Sequence, residues 1–466
     1  MAQKKRPALG DETIAATITP PGQGGVAALR LAGPLSHRIL GEHFKPARPT
    51  STASAWTPMM MRHGFFCDET GQTIDEVMAV VMPAGGSYTG EQQAEIFCHG
   101  GYAVVRRIFD VLLAAGARAA EPGEFTKLAF LNGRIDLTQA EAVADIIAAH
   151  TRTSLAAASE HAIGAYAEHV GSIREQILDV LAEVEASLDY PEEDLQAQAI
   201  PAIRAQLSAA GGEVGKLVAT YERGRIVHEG FKCAIAGRPN VGKSSLFNLL
   251  IESERALVAA TPGTTRDYLD EWINLDGVAV QLIDTAGFRE DSDEIEMEGQ
   301  RKAIDQLKSA DLVLWLVDVN DADWAKQLYA DLKTHKIISK MLVGNKIDIL
   351  YSSQKRHEST PFFDVEISCL TGEGVDRLRG LLSGRIHAMQ PDLTSGQVVT
   401  SQRHAQKLSQ AESLLQEVDQ KLADGHGLEL AAFDIRQAIT AIDEIIGRVY
   451  NEEVLDRIFS KFCVGK

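Results

Sequence analysis

Residues 237–244 read Gly-Arg-Pro-Asn-Val-Gly-Lys-Ser, a spacing that lets successive backbone N–H groups close around the phosphates of a nucleotide. In such a loop Lys243 brings a point charge to the phosphates, and the Ser244 hydroxyl is placed to ligate magnesium. Two further clusters follow, Asp284-Thr285-Ala286-Gly287 and Asn345-Lys346-Ile347-Asp348. Asp284 is the expected carboxylate behind the magnesium, and the Gly287 N–H is expected to sense the terminal phosphate. Asp348 can accept two hydrogen bonds, from the amino and ring N–H groups of guanine, a donor pair that adenine lacks. Ser368, with Cys369 and Leu370, is expected to close the base pocket. Three motifs in this order and at these distances imply a guanine-nucleotide switch.

The residues that depart from the common pattern are equally informative. Phe288 follows Gly287 where many switch GTPases carry a glutamine that orients the attacking water, so another group must hold that water. The acidic run 290–298 lies in the same segment and otherwise reads as a solvated loop. Residues 260–267 (Ala-Thr-Pro-Gly-Thr-Thr-Arg-Asp) offer Thr264 and Thr265 as switch hydroxyls, and Thr265, the second after Gly263, is the expected magnesium ligand. Asn240, inside the phosphate loop, carries an amide oxygen able to hold a monovalent cation beside the phosphates. Such a cation would replace an arginine finger, worth roughly 10³ to 10⁵ in rate where one acts.

The elements that must position these groups can be read around them. Residues 231–236, 272–275, 278–284, 312–319, 340–343 and 365–368 read as strands, with Asp276-Gly277 a tight-hairpin signal. One antiparallel hairpin on an otherwise parallel sheet predicts a Ras-like, doubly wound α/β domain with its ligand at the strand ends. Towards the N-terminus, apolar runs 14–18, 26–31 and 77–82 alternate with Gly and Pro clusters, and 102–115 has helical spacing, so an α+β domain is expected. Residues 140–150, 155–188, 203–224, 403–422, 428–449 and 453–462 read as helices, with a break at Pro191. Neither helical block is long enough to bury its apolar faces alone. The two are therefore expected to pack together as an α-helical central domain into which the nucleotide domain is inserted. The expected divisions are 1–132, 133–229, 230–387 and 388–466.

A chain of 466 residues predicts about three domains. No apolar run spans a bilayer, and the basic, polar first eleven residues lack the apolar segment of a secretory signal, so a cytoplasmic protein without a membrane role is expected. The five cysteines lack Cys-x-x-Cys spacing, which argues against a disulfide framework or a zinc site. A formal charge of −19 disfavours indiscriminate nucleic-acid binding and leaves RNA contact to a local patch or a partner.

Further motifs flank this domain: Pro20-Pro21-Gly22-Gln23-Gly24-Gly25, Tyr88-Thr89-Gly90-Glu91, His99-Gly100-Gly101, Pro122-Gly123-Glu124-Phe125-Thr126-Lys127, Ala129-Phe130-Leu131-Asn132-Gly133 and the terminal Phe462-Cys463-Val464-Gly465-Lys466. With the nucleotide motifs, this set resembles the bacterial and organellar tRNA modification GTPases called MnmE or TrmE, over the whole chain. The resemblance implies GTP hydrolysis coupled to modification of the wobble uridine of certain tRNAs at carbon 5. It implies a flavin-dependent partner, MnmG or GidA, in a heterotetramer. It also implies a homodimer whose N-terminal domain binds 5-formyltetrahydrofolate, and GTPase domains that dimerise across potassium.

Mapped onto this sequence, the resemblance implies folate contacts from Arg30, Glu95, Arg134 and Lys466. It implies potassium ligands at Asn240, Ala259, Thr261 and Thr264, and magnesium ligands at Ser244 and Thr265. Glu296 would position water, beside the switch residue Arg289. GTP contacts would come from Asn240, Val241, Gly242, Lys243, Ser244, Ser245, Ala259, Ala260, Thr261, Pro262, Gly263, Thr264, Thr265, Asp284, Thr285, Ala286, Gly287, Asn345, Lys346, Asp348 and Ser368. Cys463 reads either as helix packing or as a group of the modification site beside the folate. A ribosome-assembly or RNA-binding switch acting without covalent chemistry is the alternative. The acidic charge and the lack of a Gly-x-x-Gly RNA-binding module after the nucleotide domain lean against it. A membrane-linked switch lacks a lipid-anchor motif.

Overall fold

Strands rich in small and branched apolar residues, several of them buried on both faces, build the first sheet. The computed structural model describes residues 12–48, 56–189, 193–254, 270–284, 307–335, 339–352, 362–388 and 398–466. The chain divides into two compact units, one formed by residues 1–144, 161–190 and 428–466, the other by 145–160 and 191–427.

In the first unit seven strands, β1 (Ile14–Thr17), β2 (Gly24–Ala32), β3 (Phe44–Pro46), β4 (Arg62–Cys67), β5 (Thr73–Met82), β6 (Gln93–Gly100) and β7 (Arg118–Ala119), form one sheet in the order β3-β4-β5-β6-β2-β1-β7. All pairings are antiparallel except β1 with β7. Leu29, Leu31, Val77, Ala79, Ala94 and Ile96 point to one face and bury it with Ile108 and Leu112 of the helix Tyr102–Ala114. Period-two alternation against period-3.6 spacing is what allows that packing.

The helical stretch expected over 155–188 is broken, with Arg152–Ala162 and Ala165–Asp189 as separate helices. Gly164 between them adopts φ +89, a conformation that ends a helix and that apolar periodicity does not reveal. Ala165–Asp189 packs on Leu428–Ile446, joined by Arg174 Nε donating to Asp443 Oδ1 at 2.6 Å with both side chains largely buried. The short helix Glu452–Phe459 packs Leu455 and Phe459 against Phe130 and Leu137.

In the second unit six strands follow the order β13-β12-β11-β8-β10-β9, with β8 Phe231–Gly237, β9 Asp270–Leu275, β10 Val278–Asp284, β11 Leu312–Asp318, β12 Lys340–Asn345 and β13 Val365–Glu366. Only the β9–β10 pair is antiparallel, so the sheet is the Ras-like arrangement the sequence predicts. Asp276 and Gly277 both take positive φ, +50 and +91, as a two-residue hairpin turn requires. The central strands are apolar on both faces, and two clusters cover them, one with Leu246 and Leu250, the other with Trp315 and Leu328. The helix Glu193–Ala219 packs along Gln402–Ala423 in this unit, with Arg204 donating to Asp419 at 2.8 Å.

Candidate functional sites

The carboxyl ends of β8, β10, β11 and β12 gather the nucleotide motifs, where an open α/β sheet leaves room for a ligand. The phosphate loop leaves β8 at Gly237 (φ +143) and turns through Asn240 (φ +64) and Gly242 (φ +103). A Cβ at Gly242 would collide with the Asn345 amide, so glycine is required there sterically as well as conformationally. Asn345, 1% exposed, donates from Nδ2 to Val241 O at 2.8 Å. Its Oδ1 accepts from the N–H groups of Lys346 (2.8 Å) and Cys369 (3.1 Å). One side chain thus ties the phosphate loop to Lys346 after β12 and to Cys369 after β13.

Asp348 Oδ1 accepts from Ser368 Oγ at 2.6 Å, and Ser368 Oγ in turn accepts from Thr371 N at 3.1 Å. These bonds fix the Asp348 carboxylate against the Ser368–Thr371 turn. Ser244 Oγ donates to Asp284 Oδ2 at 3.2 Å, which places a hydroxyl and a carboxylate together as hard oxygen donors of the kind magnesium takes. Lys243 folds back, donating to Gly237 O at 2.8 Å and Arg238 O at 2.9 Å. Burial lowers its ammonium below the ordinary lysine value, while Asp284 opposes that shift. Asn240 is exposed, so its amide oxygen fits a role towards a cation. A pocket of about 310 Å³ borders the loop, with Pro239, Trp315, Trp324 and Lys346 among its walls. Ala259, Ala260, Thr261, Pro262, Gly263, Thr264, Thr265, Thr285, Ala286, Gly287, Phe288, Arg289 and Glu296 lie outside the described residues.

A second cluster stands on the seven-stranded sheet. Arg30 on β2 lies directly across from Glu95 on β6, and Arg30 Nε donates to Glu95 Oε1 at 2.9 Å. Gln93, two residues along the same face, donates from Nε2 to that oxygen at 3.0 Å. The Arg30 guanidinium sits 5.4 Å from the Tyr88 ring centre and 5.5 Å from that of Phe125, within cation–π range. Burial raises the Tyr88 phenol, opposed by its hydrogen bond with Thr126 and by the Arg30 charge. Among the described residues Arg30 makes no further hydrogen bond, and the buried Oε1 of Gln93 in the same cluster has no partner. Unused donors beside a buried, unpartnered acceptor fit a polar ring carrying both kinds of group.

The C-terminus reaches the same neighbourhood. Val464 bridges Pro122, and the Lys466 and Cys463 carbonyls accept from Phe125 N (3.2 Å) and Gly123 N (3.4 Å). The Cys463 thiol is exposed. Arg134 Nη1 donates to Gly85 O at 2.9 Å, on the loop that carries Tyr88. Sequence reasoning left Tyr88, Phe125 and Gln93 without roles. Tyr88 and Phe125 sit inside the quoted motifs, but only the fold shows that both rings flank Arg30.

The sequence pattern of the MnmE helical domain matches residues 137–463, and that of the GTP-binding protein TrmE N-terminus matches residues 13–134. The chain is 40% identical to the tRNA modification GTPase MnmE of Symbiobacterium thermophilum, over 98% of this chain and 100% of that protein. It is 40% identical to the protein of that name from Geobacter sulfurreducens, over 98% and 99% respectively. For that of Natranaerobius thermophilus the identity is 38%, over 98% and 100%. With 98% of its length matched at 38–40% identity and both family patterns present, the chain belongs to the tRNA modification GTPase MnmE family.

Proposed function

We propose that this chain is a GTPase that acts in tRNA modification, attaching a carboxymethylaminomethyl or related group at carbon 5 of the wobble uridine. In this reading it works as a homodimer with the flavin-dependent MnmG (GidA) protein. Residues 1–132 dimerise and hold 5-formyltetrahydrofolate through Arg30 and Glu95, joined by Arg134 and Lys466 from outside that span, with Cys463 beside the folate. Residues 133–229 and 388–466 form the helical domain, and residues 230–387 form the inserted GTPase domain.

The observation that carries the reading is the meeting of Arg30, Glu95 and the terminal Cys463–Lys466 segment around Phe125 in a chain that also holds a guanine-type site. Residues 30 and 466 have no reason to converge for nucleotide hydrolysis alone.

In the nucleotide site Ser244 and Thr265 would hold magnesium, which offsets the phosphate charge. Asn240, Ala259, Thr261 and Thr264 would hold potassium, in the place of an arginine finger. Lys243 binds the phosphates, Asp348 reads the base, and Glu296 with Arg289 orients water that Phe288 cannot. Mass spectrometry of tRNA nucleosides from cells with and without the gene tests the whole reading. Loss of the wobble modification is expected, and intact modification would refute it. Hydrolysis compared in potassium and sodium at equal ionic strength tests the cation, and equal rates would remove Asn240 from the mechanism.

A further inference from the structure

Lys346 joins β12 to the short helix Ile347–Ser352 that carries Asp348, and it does so at φ +72. A side chain at that φ is disfavoured unless its surroundings fix it. The surroundings come from the neighbouring strand end. Asp318, which closes β11, lies beside Asn345 in the parallel register, and its Oδ2 accepts from Lys346 Nζ at 2.8 Å. Asn320, two residues on, donates from Nδ2 to the Lys346 carbonyl at 3.0 Å. Asn320 is itself held by Asp318 Oδ1, which accepts from its backbone N at 3.0 Å and its Nδ2 at 3.1 Å. Lys346 is therefore gripped at its ammonium and at its carbonyl by one turn. Burial acts to raise the Asp318 carboxyl, but hydrogen bonds from Lys346 and Asn320 outweigh it and hold the group below its ordinary value.

We propose that Asp318 and Asn320 are positioning residues for guanine selection: they fix the strained backbone of Lys346 so that Asp348, two residues on, faces the base edge. Neither side chain needs to touch the nucleotide. The proposal rests on the guanine-reading role of Asp348. It goes beyond that role by assigning selectivity to a turn outside the nucleotide motifs.

Asn320→Ala and Asp318→Asn in the full-length chain test it, through dissociation constants for GDP and for inosine diphosphate, which lacks the exocyclic amino group. GTP kcat and KM and the thermal midpoint complete the comparison. Misplacing Asp348 costs GDP two base contacts and inosine diphosphate one. GDP binding should therefore weaken about tenfold for the two contacts together, and inosine diphosphate, which loses one of them, by about threefold. The GDP preference then shrinks while kcat at saturation stays within about twofold. Equal weakening of both nucleotides, or unchanged GDP binding, would overturn the proposal. Absence of any GDP preference in the parent chain would instead overturn the role of Asp348 itself. Asn320 is exposed, so its alanine variant retains the fold and decides the matter if Asp318→Asn does not.

Discussion

Around the phosphate loop, backbone groups do the positioning and side chains lock them, as when Asn345 spans Val241 and Cys369. Around Arg30 the arrangement is reversed: an opposite charge and two aromatic rings hold a single side chain. The first construction depends on atoms that cannot be enlarged, the second on interactions that weaken by degrees. One substitution should therefore abolish the nucleotide site, whereas the Arg30 site should lose affinity stepwise.

The sharpest way to test that contrast is Gly242→Ala. The new methyl meets the Asn345 amide and is forced to φ +103, two faults that together cost about 3 kcal/mol or more. Nucleotide affinity should fall by more than about 10²-fold, measured by fluorescent GDP titration, with ligand binding at the Arg30 cluster unchanged. A tenfold loss or less would mean that the loop yields, and the contrast would fail.

Gly465→Val probes whether the Arg30 region has a rigid point of its own. Gly465 takes φ +100, and a Cβ there would come within 2.7 Å of Thr17 O and 3.1 Å of Ile18 Cα. The tail should undock, taking away the acceptors of Gly123 N and Phe125 N. Because the segment after the helix Glu452–Phe459 is held by only a few backbone bonds, the cost should stay near about 2 kcal/mol. Earlier proteolysis of residues 463–466 is expected and, on the folate role proposed above, about tenfold weaker folate binding by calorimetry. Unchanged proteolysis would show that the tail tolerates the valine.

A gentler step is Arg30→Lys, which keeps the charge but loses the flat guanidinium lying between Tyr88 and Phe125. On the folate role proposed above, about 1 kcal/mol of folate affinity should go, whereas Arg30→Ala should remove more. If lysine were as damaging as alanine, planar stacking rather than charge would hold this site.

Legibility followed the same division. The nucleotide motifs were readable because each is contiguous and sits where a strand ends, and the runs that became β8 and β10 already had the right length. The Arg30 cluster depends on pairing: residues 30 and 95 meet only because β2 and β6 are antiparallel neighbours. β6 carries no strand signal in the sequence, since Gln93 and Glu95 interrupt its apolar pattern and those residues face the cluster. β4 is equally illegible, as Arg62, His63 and Gly64 hide the Phe65-Phe66-Cys67 end. The Asp318–Asn320 grip on Lys346 had no sequence signal, because an Asp two residues before an Asn after a strand also reads as an ordinary turn.

The smallest predicted effect sets two histidines against each other, one in each unit. A hydrogen bond and charge from Asp75 raise the exposed His99 above the usual imidazole value. Loss of water on the ring stacked against Trp272, at 4.7 Å, lowers His150. The signs are opposite. The His99 pair adds stability below about pH 6.5, the unfolded value, and that contribution fades as pH rises through the higher folded value. His150 is stabilising above about pH 6.5, and that contribution is lost as pH falls through the lower folded value. His99→Gln should therefore lower the melting temperature of the full chain more in mild acid than in mild alkali. His150→Phe, which keeps the stacked ring and removes the titration, should gain on the parent chain as pH falls. Parallel pH profiles for both variants would show that pairing on the seven-stranded sheet and desolvation beside β9 do not set these two imidazoles apart.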